Sequence, residues 1–225
     1  MQVSGRSSWR ASISSGSTLP HRALFIRDSC RLPVPPHPAN PPQLIGEVAD
    51  HSAELSNARL ADAGSEWFLW WHEIVGYQVR EASSLPDDPV ERSRPDYAGY
   101  TALFDWPELS VLQSKPALRR AAQVSGEDAL RFRNAAKEAL KQQLERIDIP
   151  RPVAADPAPI AESLIERLHL SPGQLSVTIE VLGVIGDWSY RPLPGVLVCS
   201  MAVAQDDEKI VPLIEATFLS SIDAS

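Results

Sequence analysis

The chain has 225 residues, 44% of them hydrophobic, which is enough apolar material for a sizeable core and excludes disorder of the whole chain. A formal net charge of -8 argues against a general binder of nucleic acid or anionic membrane, because such proteins need a basic footprint to exchange for counterions. The two cysteines, Cys30 and Cys199, fall in a Pro-rich stretch and an apolar one, a poor arrangement for a structural disulfide, and no apolar run approaches the roughly 20 residues of a membrane helix, so the expected setting is cytoplasmic and free of membrane.

Residues 1–43 carry a net charge of +4, which leaves -12 for the remainder. They mix Ser, Arg and Pro, and Pro33, Pro35, Pro36, Pro38, Pro41 and Pro42 deny the backbone both helix and ladder bonds. The composition predicts a disordered tail, followed by a single α+β domain over 44–225. The same Arg- and Ser-rich, acid-poor character is shared by a transit peptide and by a start codon assigned too far upstream.

From Leu44 the pattern turns helical, and Gly64-Ser65 predicts a break with Ser65 as the cap of the next helix. That helix holds the densest apolar stretch of this half. Trp67, Trp70, Trp71 and Ile74 mark one face, while Phe68, Val75 and Val79 widen it until little polar circumference remains, the pattern of a helix buried between layers. Ser84 to Asp105 reads as a long connection that ends in the aromatics Tyr97, Tyr100, Phe104 and Trp106. Two helices are expected next, Pro116–Gln123 and Glu127–Ile147, separated by Ser125-Gly126, with Ser125 as cap and Asp128 in the capping-box position.

Residues 148–159 are rich in Pro and Ala and form the best internal linker, dividing a helical half (44–147) from a helix and β-meander (160–225). Asp156-Pro157 starts a helix as cap and first residue, with Ile160, Leu164, Ile165 and Leu168 as its stripe. Leu175, Val177, Ile179 and Val181 then alternate with Ser176, Thr178 and Glu180, the period of a strand with one dry face and one wet face. Val196 to Val203 is apolar almost throughout and predicts a strand covered on both faces. Gln205–Glu208 reads as an acidic turn into a third strand over Lys209–Leu219, with Pro212 placing it at an edge. The fold expectation is α+β, a helical N-terminal half packed on a C-terminal antiparallel sheet of three or more strands.

Chemistry is thinly signalled. His72-Glu73 is the first half of a zinc-protease helix motif, but the fourth position is Gly76, so no second ligand follows. Cys199 paired with His169 or His72 would make a nucleophile and base, although a cysteine in an apolar strand is more often packed and inert. Phosphate-loop, dinucleotide and serine-elbow motifs are absent from the sequence, and it names no cofactor and no metal site. Segment 115–147 is basic, with Lys115, Arg119, Arg120, Arg131, Arg133, Lys137, Lys141 and Arg146, and has the spacing of a helix-turn-helix around Ala122 and Gly126; the acidic chain opposes nucleic-acid binding. The strongest functional signal is Asp187, Trp188, Tyr190 and Arg191, in the loop between the two predicted strands. A core needs none of them there, and aromatics beside a guanidinium and a carboxylate suit recognition. The leading expectation is a non-catalytic binding or assembly protein that uses this loop on another protein or a second copy of itself. The runner-up is a hydrolase with His72, Glu73 or Cys199 at its site, and the third reading is a DNA-binding protein using helices 116–147.

Overall fold

Alternating apolar residues do make a strand of Leu175–Leu182, and it is the centre of the sheet. The computed structural model describes residues 2–3, 9–15, 17–83, 103–144, 153–171 and 173–222. Five strands, β1 (Gln2–Val3), β2 (Trp9–Ser15), β3 (Leu175–Leu182), β4 (Ser189–Tyr190) and β5 (Val196–Ser200), lie in the order β1-β2-β3-β5-β4. Six α-helices are described, α1 (Thr18–Ser29), α2 (Asn57–Ser83), α3 (Pro116–Leu144), α4 (Pro157–Leu168), α5 (Met201–Ala204) and α6 (Asp207–Ile222). The class is α+β. The residues group into two units, 1–17 with 150–225 and 18–149, and the second division falls inside the expected linker.

The sheet corrects the expected antiparallel meander. β2 runs parallel to β3, and β3 parallel to β5; only the short edge strands β1 and β4 pair antiparallel. A parallel return needs about a dozen connecting residues, and 183–195 supply them by passing along β4 before turning into β5. On one face of the sheet Trp9, Ala11, Ile13, Val177, Ile179, Val181, Leu197 and Cys199 form a core with Leu164 of α4 and Ile210, Ile214 and Phe218 of α6. Trp9 meets Phe218 edge-on at 6.5 Å. Every residue of β5 is buried, as its apolar run predicts, but the strand expected to reach Val203 stops at Ser200, whose hydroxyl caps α5 by accepting from the Val203 amide.

Lys209–Leu219 is helix, where a third strand was expected. Asp206 caps it, its Oδ1 accepting from the Glu208 amide at 3.0 Å and its carbonyl accepting from Ile210 at 2.9 Å, and the buried positions Ile210, Ile214, Thr217, Phe218 and Ser221 recur at helical spacing. Pro212 sits inside this helix on an exposed position. The start of α4 is as expected, with the Asp156 side chain accepting from the Ala158 amide and Pro157 at the first position, but its stripe is narrower: Pro157, Ala161 and Leu164 are buried and Leu168 is exposed.

The expected disordered tail is ordered along much of its length. β2 buries Trp9, Ala11 and Ile13, and α1 buries Leu19, Ala23, Leu24, Phe25 and Ile26. The prolines of the segment after α1 have no amide to donate, yet its carbonyls accept: Arg27 donates to Pro41 and Pro42, and the Trp71 indole donates to Ala39 at 3.0 Å. The Leu44 amide returns to Asp28 at 2.8 Å, completing the attachment of this strap to α1.

Within residues 18–149 both predicted helix breaks vanish. α2 runs through Gly64-Ser65 and α3 through Ser125-Gly126, and both serines donate back one turn, Ser65 to Ala61 at 3.3 Å and Ser125 to Ala121 at 2.8 Å. The glycines are there for close approach. A Cβ on Gly64 would lie 2.4 Å from the Pro33 carbonyl oxygen, and one on Gly126 would lie 2.1 Å from the Trp106 ring. The tryptophans of α2 are core: Trp67, Trp70 and Trp71 are buried, and Trp67 stacks on Trp71 at 5.5 Å. Tyr97, Tyr100, Arg146 and Ile147 lie outside the described residues.

Candidate functional site

The loop singled out in the sequence runs from Gly183 to Gly195, between parallel strands, and is not the tip of a β3–β5 hairpin. Its backbone is fastened. The Trp188 carbonyl accepts from the Ser200 amide at 2.9 Å, and the Trp188 amide donates to the Ser200 hydroxyl at 3.2 Å. Lys209 pairs with Asp187 at 2.9 Å and with Asp206 at 2.9 Å, and both carboxylates hold its ammonium pKa above the ordinary lysine value. Arg191 reaches the Ala216 carbonyl at 3.4 Å. At its far end the Gly195 amide donates to Ser220 at 3.0 Å.

Of the four candidates, Asp187 and Arg191 are exposed, while Trp188 and Tyr190 are half-buried. Two further residues of the loop, Ile185 and Leu193, are 49% and 48% exposed although both are large and apolar. Composition alone had drawn attention to the aromatic and charged positions; these aliphatic ones were missed because isolated Ile and Leu read as core. The adjoining edge strand β4 is only two residues long, too short a ladder to template strand addition, so recognition here falls to side chains.

A second polar cluster was invisible in the sequence. Glu180 of β3, assigned by alternation to a wet face, is 7% exposed. Ser17 donates to its Oε2 at 2.8 Å, Ser14 and Ser17 hydroxyls lie 2.9 Å apart, and Oε1 is buried with no hydrogen-bond partner among the described residues. Burial pushes the carboxyl up to about 7 against the opposing hydrogen bonds from Ser17 and Ser14, so this group exchanges its proton near neutral pH.

The residues proposed for catalysis are not assembled. Cys199 is fully buried on the core face, and burial, with the charge of Glu180 adding to it, pushes its thiol up to about 12, which leaves it protonated and unreactive at neutral pH. His72 and Glu73 sit in the other unit: His72 is exposed on α2 with its Nδ1 2.9 Å from the Phe68 carbonyl, and Glu73 holds Lys115 at 3.0 Å. His72 stands 5.7 Å from the His37 ring, but His37 Nδ1 accepts from the Ala39 amide, leaving the proton of the neutral ring on Nε2 rather than a lone pair for a metal. Among the described residues no group of three or more His, Cys, Asp and Glu is placed to hold a metal ion.

Residues Pro116–Leu144 of the basic segment form one continuous helix, without the turn of a helix-turn-helix around Ala122 and Gly126. Several of its charges are paired: Lys115 with Glu73, and Arg131 with Asp128 at 2.8 Å and Glu127 at 3.3 Å. Asp128, expected to partner Ser125, instead lies 2.9 Å from His51, whose other ring nitrogen meets Glu54 at 2.7 Å. No helix of the described residues is long and apolar enough to cross a membrane. Known proteins add no precedent to this site, since no family model, curated protein or solved structure matches the chain.

Proposed function

We propose that this chain is a non-catalytic binding or assembly protein whose recognition surface is the 183–195 segment, with Asp187, Trp188, Tyr190 and Arg191 as its polar and aromatic contacts and Ile185 and Leu193 as its apolar ones. The observation that carries the reading is a fastened backbone under exposed apolar side chains: the segment is tied at Trp188, Asp187 and Gly195, yet Ile185 and Leu193 stand about half exposed. A loop ordered before binding loses less conformational entropy on association, and aromatic and guanidinium groups beside aliphatic ones are the usual make-up of contact centres. The partner is another protein or a second copy of the chain, in a cytoplasmic setting.

The experiment compares the native protein with the Ile185→Asp/Leu193→Asp variant by sedimentation at rising concentration and by affinity purification with mass spectrometry. Loss of self-association, or of a specific co-purifying protein, at an unchanged melting temperature supports the reading. Identical behaviour of the two proteins contradicts it.

A further inference from the structure

Residues 18–149 contain a cleft of about 410 Å³ lined by Arg59 and Asp62 of α2, by Gln113, and by Arg119, Arg120 and Gln123 of α3. Its volume is that of a small-molecule site. Three guanidinium groups face one carboxylate there, a local excess of positive charge on a chain of net charge -8. Like charges gathered in one concavity repel each other and raise the local concentration of anions.

The pairing pattern separates these arginines from their neighbours. Lys115, just before α3, and Arg131, on it, are paired with Glu73 and with Asp128 and Glu127. Arg59 and Arg120 make no ion pair among the described residues. Arg119 is anchored at one nitrogen, Nη2 donating to the Glu108 carbonyl at 3.1 Å, while its Nε meets no acceptor among the described residues. The end of α3 itself is already engaged, because the Glu66 carboxylate accepts from the Leu118 amide at 2.7 Å, so anion binding rests on the guanidinium groups.

We propose that this cleft binds a phosphorylated small molecule, its phosphate held by Arg119, Arg120 and Arg59 and its hydroxyl or amino groups by Asp62, Gln113 and Gln123. Guanidinium forks match phosphate oxygens two at a time, and the amides and carboxylate supply the neutral and donor-seeking contacts that inorganic phosphate cannot use. The proposal is independent of the 183–195 surface, which lies in the other unit.

The test is calorimetric titration of the full chain with glycerol 3-phosphate, with inorganic phosphate, and with sodium chloride at matched ionic strength. Saturable binding is expected for the first two, tighter for the ester, and none for chloride. Arg120→Ala and Arg59→Ala, both at exposed positions that leave the fold intact, should each weaken binding by about tenfold, the loss of one charge-assisted contact. Asp62→Asn should narrow the preference for the ester over phosphate. Absence of saturation, or affinity unchanged in Arg120→Ala, overturns the proposal. Binding of a DNA duplex that depends on Arg120, with no response to the ester, overturns it in favour of a nucleic-acid surface.

Discussion

The buried indoles of one unit and the buried carboxyl of the other are satisfied to different degrees. In residues 18–149 each indole of α2 meets a carbonyl, Trp67 that of Ala23 at 2.6 Å, Trp70 that of Leu103 at 2.9 Å and Trp71 that of Ala39 at 3.0 Å, so large apolar rings are buried without an unmet donor. In the sheet unit Glu180 is buried with one oxygen met by Ser17 and the other unmet. The first arrangement involves only indole donors and backbone carbonyls, which do not titrate, so it has no dependence on pH. The second stores a proton whose release charges the interior of the sheet.

The largest effect tests whether the N-terminal strand belongs to this second arrangement. A chain beginning at Thr18 loses Trp9, Ala11 and Ile13 from the core and the whole β2 partner of β3, roughly 5 kcal/mol or more of burial, comparable to the full stability of an ordinary domain. Its sheet unit should show no cooperative unfolding in urea; an unchanged transition would return residues 1–17 to the status of a dispensable tail. Next, Trp71→Ala should cost about 3–5 kcal/mol by denaturant melts, the range for truncating a buried aromatic, and the loss should be the same at pH 5 and pH 8.

Glu180 sharpens the contrast through pH. Its folded pKa of about 7 lies above the ordinary carboxyl value of 4.5, so the protonated form is the one the fold prefers. The stabilisation is complete below about 4.5 and is lost as pH rises through about 7, a total of about 3 kcal/mol. Glu180→Gln should flatten that part of the stability profile and exceed the wild type at pH 8. A wild-type profile that rises over the same window would place the carboxylate in a solvated or paired environment.

A smaller effect tests the close approach of α2 to the Pro-rich strap. Helix propensity alone predicts that Gly64→Ala gains about 1 kcal/mol. The Pro33 oxygen 2.4 Å from the added Cβ predicts instead a loss of about 1–3 kcal/mol, because backbone must shift to admit it. The sign of the change in the urea midpoint decides between them.

Much of this was legible wherever the signal was local. The alternation in Leu175–Leu182, the unbroken run of β5, the Asp156-Pro157 cap and the burial of the α2 tryptophans follow from short patterns read one element at a time. Long-range features were not. Prolines 33 to 42 count as lost donors along the chain, whereas their carbonyls serve as acceptors for Arg27, which lies earlier in the chain. Gly64 and Gly126 resemble breaks until Pro33 and Trp106 are brought against them. Alternation assigns Glu180 to solvent because the strand that flanks it on one side, and the hydroxyls of Ser14 and Ser17, come from the opposite end of the sequence. The 183–195 segment was located by composition, but its direction, and with it the parallel pairing of β3 and β5, depended on a two-residue edge strand with no pattern of its own.

The central claim is that this fastened segment recognises a partner. Its most direct test is the Trp188→Ala/Arg191→Ala double variant, followed in parallel by urea denaturation and by capture of the protein that the native chain retains or of a second copy of itself. The account predicts stability within about 1 kcal/mol of wild type together with loss of capture, since Arg191 is exposed, Trp188 is only half-buried and fastened through its backbone, and both are of the residue types that most often dominate contacts. A double variant that is equally stable and captures its partner as the wild type does would contradict it.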